Sequence, residues 1–144
     1  MLSVTREHSF AAAHRLFDYN GQCERLHGHN YGISITLSQP ELDSLGMVLD
    51  FAEIKNILLT RLDEAWDHKT LLYDQDPLTQ QLIDILEDGS VCALPFNPTA
   101  ENMAQYLGET FFPDILKEKG FPPNLEVTKV TVHETKNNYA TWTK

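Results

Sequence analysis

Three histidines, His14, His27 and His29, and one cysteine, Cys23, fall within sixteen residues of each other near the front of the chain. Imidazole suits zinc, copper, iron and nickel. Three imidazoles leave one position of a tetrahedral zinc open, which marks a catalytic rather than a structural site. A thiol four residues before His27 can then act in one of two ways. It is a base or nucleophile with its thiolate favoured by the nearby metal, or it is a fourth ligand that closes the site. Both readings stand on the residues alone.

Other residues have the right type for chemistry. Asp67-His68 can form an acid–base pair, with the carboxylate orienting the imidazole; a histidine at a helix C-terminus is also favoured by the dipole alone. Glu134, at the end of a strand, can accept a planar N–H pair bidentately. Pro98-Thr99-Ala100-Glu101-Asn102 reads as a helix start, with Thr99 as cap and Glu101 in the first turn, and can also line a pocket. Cys92 sits in an apolar run and reads as inert. His8 and His133 read as structural.

Local pattern places these groups. Val4 to Arg15 reads as a strand with Phe10, Ala12 and His14 on one face. In 27–37, His29, Tyr31, Ile33, Ile35 and Leu37 alternate with Asn30, Ser34 and Thr36, so His27 and His29 project from one face of a strand. Asp50 caps a helix whose stripe is Phe51, Ile54, Leu58, Leu62 and Ala65, ending near Trp66. Pro77 to Asp88 reads as a short helix closed by Gly89, and 91–96 as extended. A third helix starts at Thr99 and buries Met103, Leu107 and Phe111. The ranges 125–134 and 139–143 read as a hairpin. The sum is α+β: an antiparallel sheet with helices on one face.

The chain has 144 residues, which predicts a single domain over 1–144. Its formal net charge of −10 argues against a nucleic-acid partner. A small phosphorylated substrate needs only a local basic pocket and stays open. No apolar run reaches the roughly 18 residues of a membrane span. Residues 1–7 lack the form of a signal peptide, so a cytoplasmic location is expected, with both cysteines reduced.

Phe10-Ala11-Ala12-Ala13-His14-Arg15-Leu16, Cys23-x-x-x-His27-Gly28-His29, Asp67-His68-x-x-Leu71, Pro98-Thr99-Ala100-Glu101-Asn102 and Val132-His133-Glu134-Thr135 follow one another in the order of the 6-pyruvoyl-tetrahydropterin synthase family. Together they cover most of the chain. The resemblance points to the branch that forms 6-carboxy-tetrahydropterin for queuosine biosynthesis. It implies a tunnelling fold: a four-stranded antiparallel sheet with two helices on one side, in the order ββααββ. It also implies a homo-oligomer, a dimer of trimers with active sites between subunits.

Position by position, the resemblance implies that His14, His27 and His29 hold one zinc ion per subunit. Cys23 would abstract a proton, with Asp67 and His68 completing the relay. Glu134 would anchor the pterin ring, with Thr99 and Glu101 beside it. The implied reaction converts 7,8-dihydroneopterin triphosphate to 6-carboxy-tetrahydropterin, acetaldehyde and triphosphate. A pyruvoyl-forming lyase would use the same residues. A non-catalytic pterin- or metal-binding protein is the rival of another class. Two features depart from the compact family pattern. Residues 77–96 make a longer segment than it needs. Glu24 stands beside Cys23, a combination that resembles members serving both queuosine and folate routes, and implies some cleavage to 6-hydroxymethyl-dihydropterin.

Overall fold

The computed structural model describes Met1–Lys144, apart from the side chain of Gln22. Two long strands, β1 (Leu2–His14) and β2 (His27–Gln39), pair antiparallel along their whole length, from Leu2 against Gln39 to His14 against His27. Strict alternation fixes the register, since a slip of one residue would turn every apolar side chain to the wrong face. Tyr31, Ile33, Ile35 and Leu37 are buried on the same side as Phe10, Ala12 and His14.

Two helices cover that side. The first, α1 (residues 51–66), runs without a break through Phe51–Glu53, Ile54–Leu59 and Thr60–Trp66, its middle stretch π-helical. The Asp50 carboxylate caps it by accepting the Ala52 N–H at 2.8 Å. It buries Ile54, Leu58, Leu59, Leu62 and Trp66. The last helix, α3 (residues 100–118), buries Met103, Leu107, Phe112, Ile115 and Leu116. These side chains and the inward face of the sheet form one core. Each large aliphatic side chain buried there contributes roughly 1.5–3 kcal/mol.

The sheet is larger and less uniform than expected. β3 (Lys69–Tyr73) lies parallel to β1, and β4 (Val91–Leu94) lies parallel to β3. β5 (Glu126–His133) and β6 (Tyr139–Thr143) extend the other side antiparallel. The result is a six-stranded mixed sheet in the order β4-β3-β1-β2-β5-β6. This corrects the four-stranded antiparallel sheet and the order ββααββ; the observed order is ββαβαβαββ. The reason lies in the long 77–96 segment. A parallel pair needs a crossover, and α2 (Pro77–Leu86) supplies it between β3 and β4. α2 ends at Glu87, in left-handed geometry at φ 52°, two residues before the expected Gly89. No helix among the described residues is long and apolar enough to cross a membrane.

Candidate metal centre and active site

His14 closes β1 and pairs across the sheet with His27, while His29 sits two residues further along β2. All three rings therefore lie on the helix side of the sheet. The Nε2 atom of His27 is 3.2 Å from that of His14 and 3.1 Å from that of His29. The outer nitrogens are fixed as well. His14 Nδ1 meets the Pro98 carbonyl at 2.8 Å, and His27 Nδ1 meets the Arg25 carbonyl at 2.7 Å. A carbonyl only accepts, so each Nδ1 carries the proton and each Nε2 lone pair is left for the cluster.

Burial is the main cause that lowers the His14 pKa to about 4, the Pro98 bond opposing it and the neighbouring histidines adding to it. Burial also lowers that of His29. Metal ligation requires neutral imidazoles. Zinc–nitrogen bonds of roughly 2.0–2.1 Å place the nitrogens of a tetrahedral site about 3.3 Å apart. The donor set and its spacing thus fit zinc, and among the described residues the converging group is His14, His27 and His29.

Cys23 lies outside that group, in a short 3-10 turn, Gln22–Glu24. Its carbonyl accepts the Leu16 N–H at 2.8 Å, which ties the turn to the end of β1. The thiol is free and half-buried. Glu24 is exposed and, with Arg15 and residues 16–20, lines a hollow of about 370 Å³.

Glu134, just past β5, brings Oε2 to 4.0 Å from His29 Nε2. It shares a cavity of about 270 Å³ with Glu101, Ala100, Asn137, Asn138 and Tyr139. Thr99 is occupied as the α3 cap, its hydroxyl accepting the Asn102 N–H at 3.1 Å.

Asp67 and His68 follow α1 directly. Asp67 accepts the Ala11 N–H at 2.9 Å and stands 3.0 Å from His68 Nδ1. The Ala11 amide, and then His68, hold its carboxyl below the usual range. The His68 backbone is left-handed, at φ 58°, and its N–H donates to the Ala11 carbonyl at 2.7 Å. Its side chain is 83% exposed and lines a groove of about 440 Å³ with Ala11, Ala13, Gly28 and Asn30. Those residues have the opposite strand parity to the three ligands, although the groove also reaches His29. Within one chain, then, the histidine cluster and Glu134 come together, while His68 is displayed outward.

Four contributors were not anticipated from sequence. Pro98 offers a carbonyl, which no side-chain pattern reveals. Asn97 clasps Phe17, accepting its N–H and donating to its carbonyl, both at 2.9 Å. Asp76 takes the Arg15 guanidinium in two bonds of 2.7 and 2.5 Å. Tyr31 is fully buried, stacked on Phe10 at 5.3 Å and set edge-on to His14 and His29 at 5.8 and 5.3 Å between ring centres. Burial pushes its phenol pKa up, and the negative charges of Glu134 and Cys23 add to this. The one available signal was its place in the alternating run, two residues after His29.

The family model described as 6-pyruvoyl tetrahydropterin synthase matches residues 3–144. The chain belongs to this family. Its relatives include 6-carboxy-5,6,7,8-tetrahydropterin synthases from Rickettsia bellii, 36% identical over 137 residues, and Aquifex aeolicus, 30% identical over 155 residues. The matches cover 95% of this chain in both cases, and 96% and 94% of the relatives. Among solved structures, an uncharacterized protein from Wolinella succinogenes, WS1659, superposes with a TM-score of 0.81 at 22% identity, covering 99% of this chain and 97% of its own. The Caenorhabditis elegans 6-pyruvoyl tetrahydropterin synthase gives 0.65 at 29% identity, covering 99% and 95%. In this member of the 6-pyruvoyl tetrahydropterin synthase family, the site joins three converging histidine nitrogens to the Glu134 carboxylate.

Proposed function

We propose that the chain, as one domain over 1–144, is a zinc-dependent carbon–carbon lyase. With one water, it converts 7,8-dihydroneopterin triphosphate to 6-carboxy-5,6,7,8-tetrahydropterin, acetaldehyde and triphosphate, in the cytoplasm, on the route to queuosine. The observation that carries this reading is the convergence of three Nε2 lone pairs beside Glu134. The curated relatives named 6-carboxy-5,6,7,8-tetrahydropterin synthase support it.

His14, His27 and His29 hold the metal, with the Pro98 and Arg25 carbonyls fixing their tautomers. A zinc ion there supplies Lewis acidity toward the side-chain oxygens of the substrate. Glu134 accepts two N–H groups from the pterin ring, a planar donor pair suited to a carboxylate. Glu101 lines the same cavity, and Thr99 sets the helix start that carries it. Cys23 removes the proton next to the developing charge. Asp67 orients His68 for proton transfer on the other side of the reacting carbon. The outward display of His68 supports a site shared between copies of the chain, in a dimer of trimers: His68 of one subunit would serve the cluster of the next.

A second reading within the same chemistry is favoured by Glu24, which shares a turn with Cys23. It would direct part of the flux to 6-hydroxymethyl-dihydropterin. The pyruvoyl-forming reaction is the other product alternative. A purely metal-binding protein would need Cys23 in the cluster.

The deciding experiment supplies zinc-loaded protein with 7,8-dihydroneopterin triphosphate and identifies the pterin by mass spectrometry alongside an acetaldehyde assay. Carboxy-tetrahydropterin with equimolar acetaldehyde is the expected result. A pyruvoyl product would replace this reading with the biopterin-type reaction, and no turnover would end the enzyme reading. A hydroxymethyl product that disappears in Glu24→Gln would establish the second activity.

A further inference from the structure

Among the described residues, the Tyr31 hydroxyl is the buried side-chain polar atom without a hydrogen-bond partner. Leaving such a group unpaired costs about 1–3 kcal/mol, and folded proteins keep few of them. Its surroundings suggest what it is kept for. Gly32 pairs with His133, so continuing that register by one residue sets Tyr31 opposite Glu134 on the helix side of the sheet. Directly opposite residues on one face have Cβ atoms about 4.5–5.5 Å apart. The Tyr31 ring also touches His14 and His29 edge-on. Glu134 therefore has its carboxylate 4.0 Å from one nitrogen of the histidine cluster and lies across the strand pair from the residue that carries the buried, unused O–H.

A carboxylate so placed has two available partners once a divalent cation binds. It can become the fourth ligand, giving three histidines and one glutamate, a closed tetrahedral site. Or it can stay off the cation, if a donor holds it. We propose that Tyr31 is a positioning residue: its O–H donates to Glu134 in the metal-loaded protein, holding the carboxylate off the cation and keeping the fourth coordination position open. The inference deepens the reading above and rests on it, since Glu134 must be free to receive the substrate ring. It also accounts for the orphan hydroxyl, whose partner is the Glu134 carboxylate of the metal-loaded protein.

The test uses the full-length protein loaded with cobalt(II), whose visible absorption reports the number and kind of ligands, and chelator competition to measure affinity. Tyr31→Phe keeps the ring and removes only the donor. It is expected to change the cobalt spectrum, to tighten metal binding as the carboxylate joins the cation as a fourth ligand, and to raise KM. Metal-free stability should stay level or rise, because an unpaired hydroxyl is gone. The double variant Tyr31→Phe/Glu134→Gln should restore the original spectrum and affinity. An unchanged spectrum and affinity in Tyr31→Phe would overturn the proposal, as would a shift that persists in the double variant. Glu134→Gln alone should leave the spectrum unchanged; a shift there would show that Glu134 already ligates the metal, and would overturn the proposal without recourse to any Tyr31 variant. Absence of turnover by the native protein would sink the lyase reading instead, leaving the cobalt comparison intact.

Discussion

His14 and His27 each give Nδ1 to a main-chain carbonyl, from Pro98 and Arg25, so their tautomers are set before any metal arrives. Cys23 is not so committed: its thiol is free, and its backbone alone anchors the turn. On the proposed reading, that difference separates a ligand from a base. Cys23→Ala should therefore keep its full zinc content by atomic absorption while turnover falls by about 10²–10⁴, the usual loss for a general base. Loss of zinc in that variant would make Cys23 a ligand. At this scale the histidine cluster was legible because His-x-His on a strand projects both rings from one face, and His14 lies on the matching face of the strand before it. Pro98 was not legible, since a carbonyl has no sequence signature. Tyr31 was read as one more residue of an alternating core, which it is; only its unpaired hydroxyl marks it out, and that depends on what lies around it.

Among the elements, β1, β2 and the β5–β6 hairpin announce themselves by alternation, and α1 and α3 by their caps and apolar stripes. β3 was missed because five residues in which Leu71 and Leu72 are both buried show no alternation, as in many parallel strands. The β3–α2–β4 unit is locked to the end of β1, beside His14, through Arg15 and Asp76, whose carboxylate also caps α2 by accepting the Leu78 N–H at 2.9 Å. Asp76→Ala should cost about 1–3 kcal/mol in urea unfolding, from a lost cap and the lost charge-assisted hydrogen bonds to a half-buried arginine. The bond to Arg15 holds the Asp76 carboxyl below its usual value. Its stabilising effect is thus complete above the unfolded value near 3.9 and fades as pH falls through the lower folded value. The difference between native protein and Asp76→Ala should shrink on that acid side. At the opposite edge, a Cβ on Gly108 would come within 2.1 Å of the Trp142 ring. Gly108→Ala should push β6 off α3, lowering stability by about 1–3 kcal/mol; an unchanged urea midpoint would refute that packing account.

For the molecule as a whole, His68 faces away from the cluster it is proposed to serve, which no single chain can correct. Cys23→Ala and His68→Ala should each be nearly inactive alone. Co-refolded in equal amounts, they should regain about a quarter of native activity, because random assembly gives each shared site both intact residues one time in four. Failure to recover any activity would place the whole relay within one subunit. A shared site between copies is implied only by family likeness, since spacing along a strand says nothing about a neighbouring copy. The Pro98 carbonyl has one more effect. It joins His14 to a segment 84 residues away in sequence, and Asn97 and Asn102 knit that segment to the loop after β1 and to the head of α3. A cation gripping His14 thus acts as a remote staple on the 97–103 amides, which should exchange with deuterium markedly faster when the metal is stripped, while the β5–β6 hairpin keeps its pace.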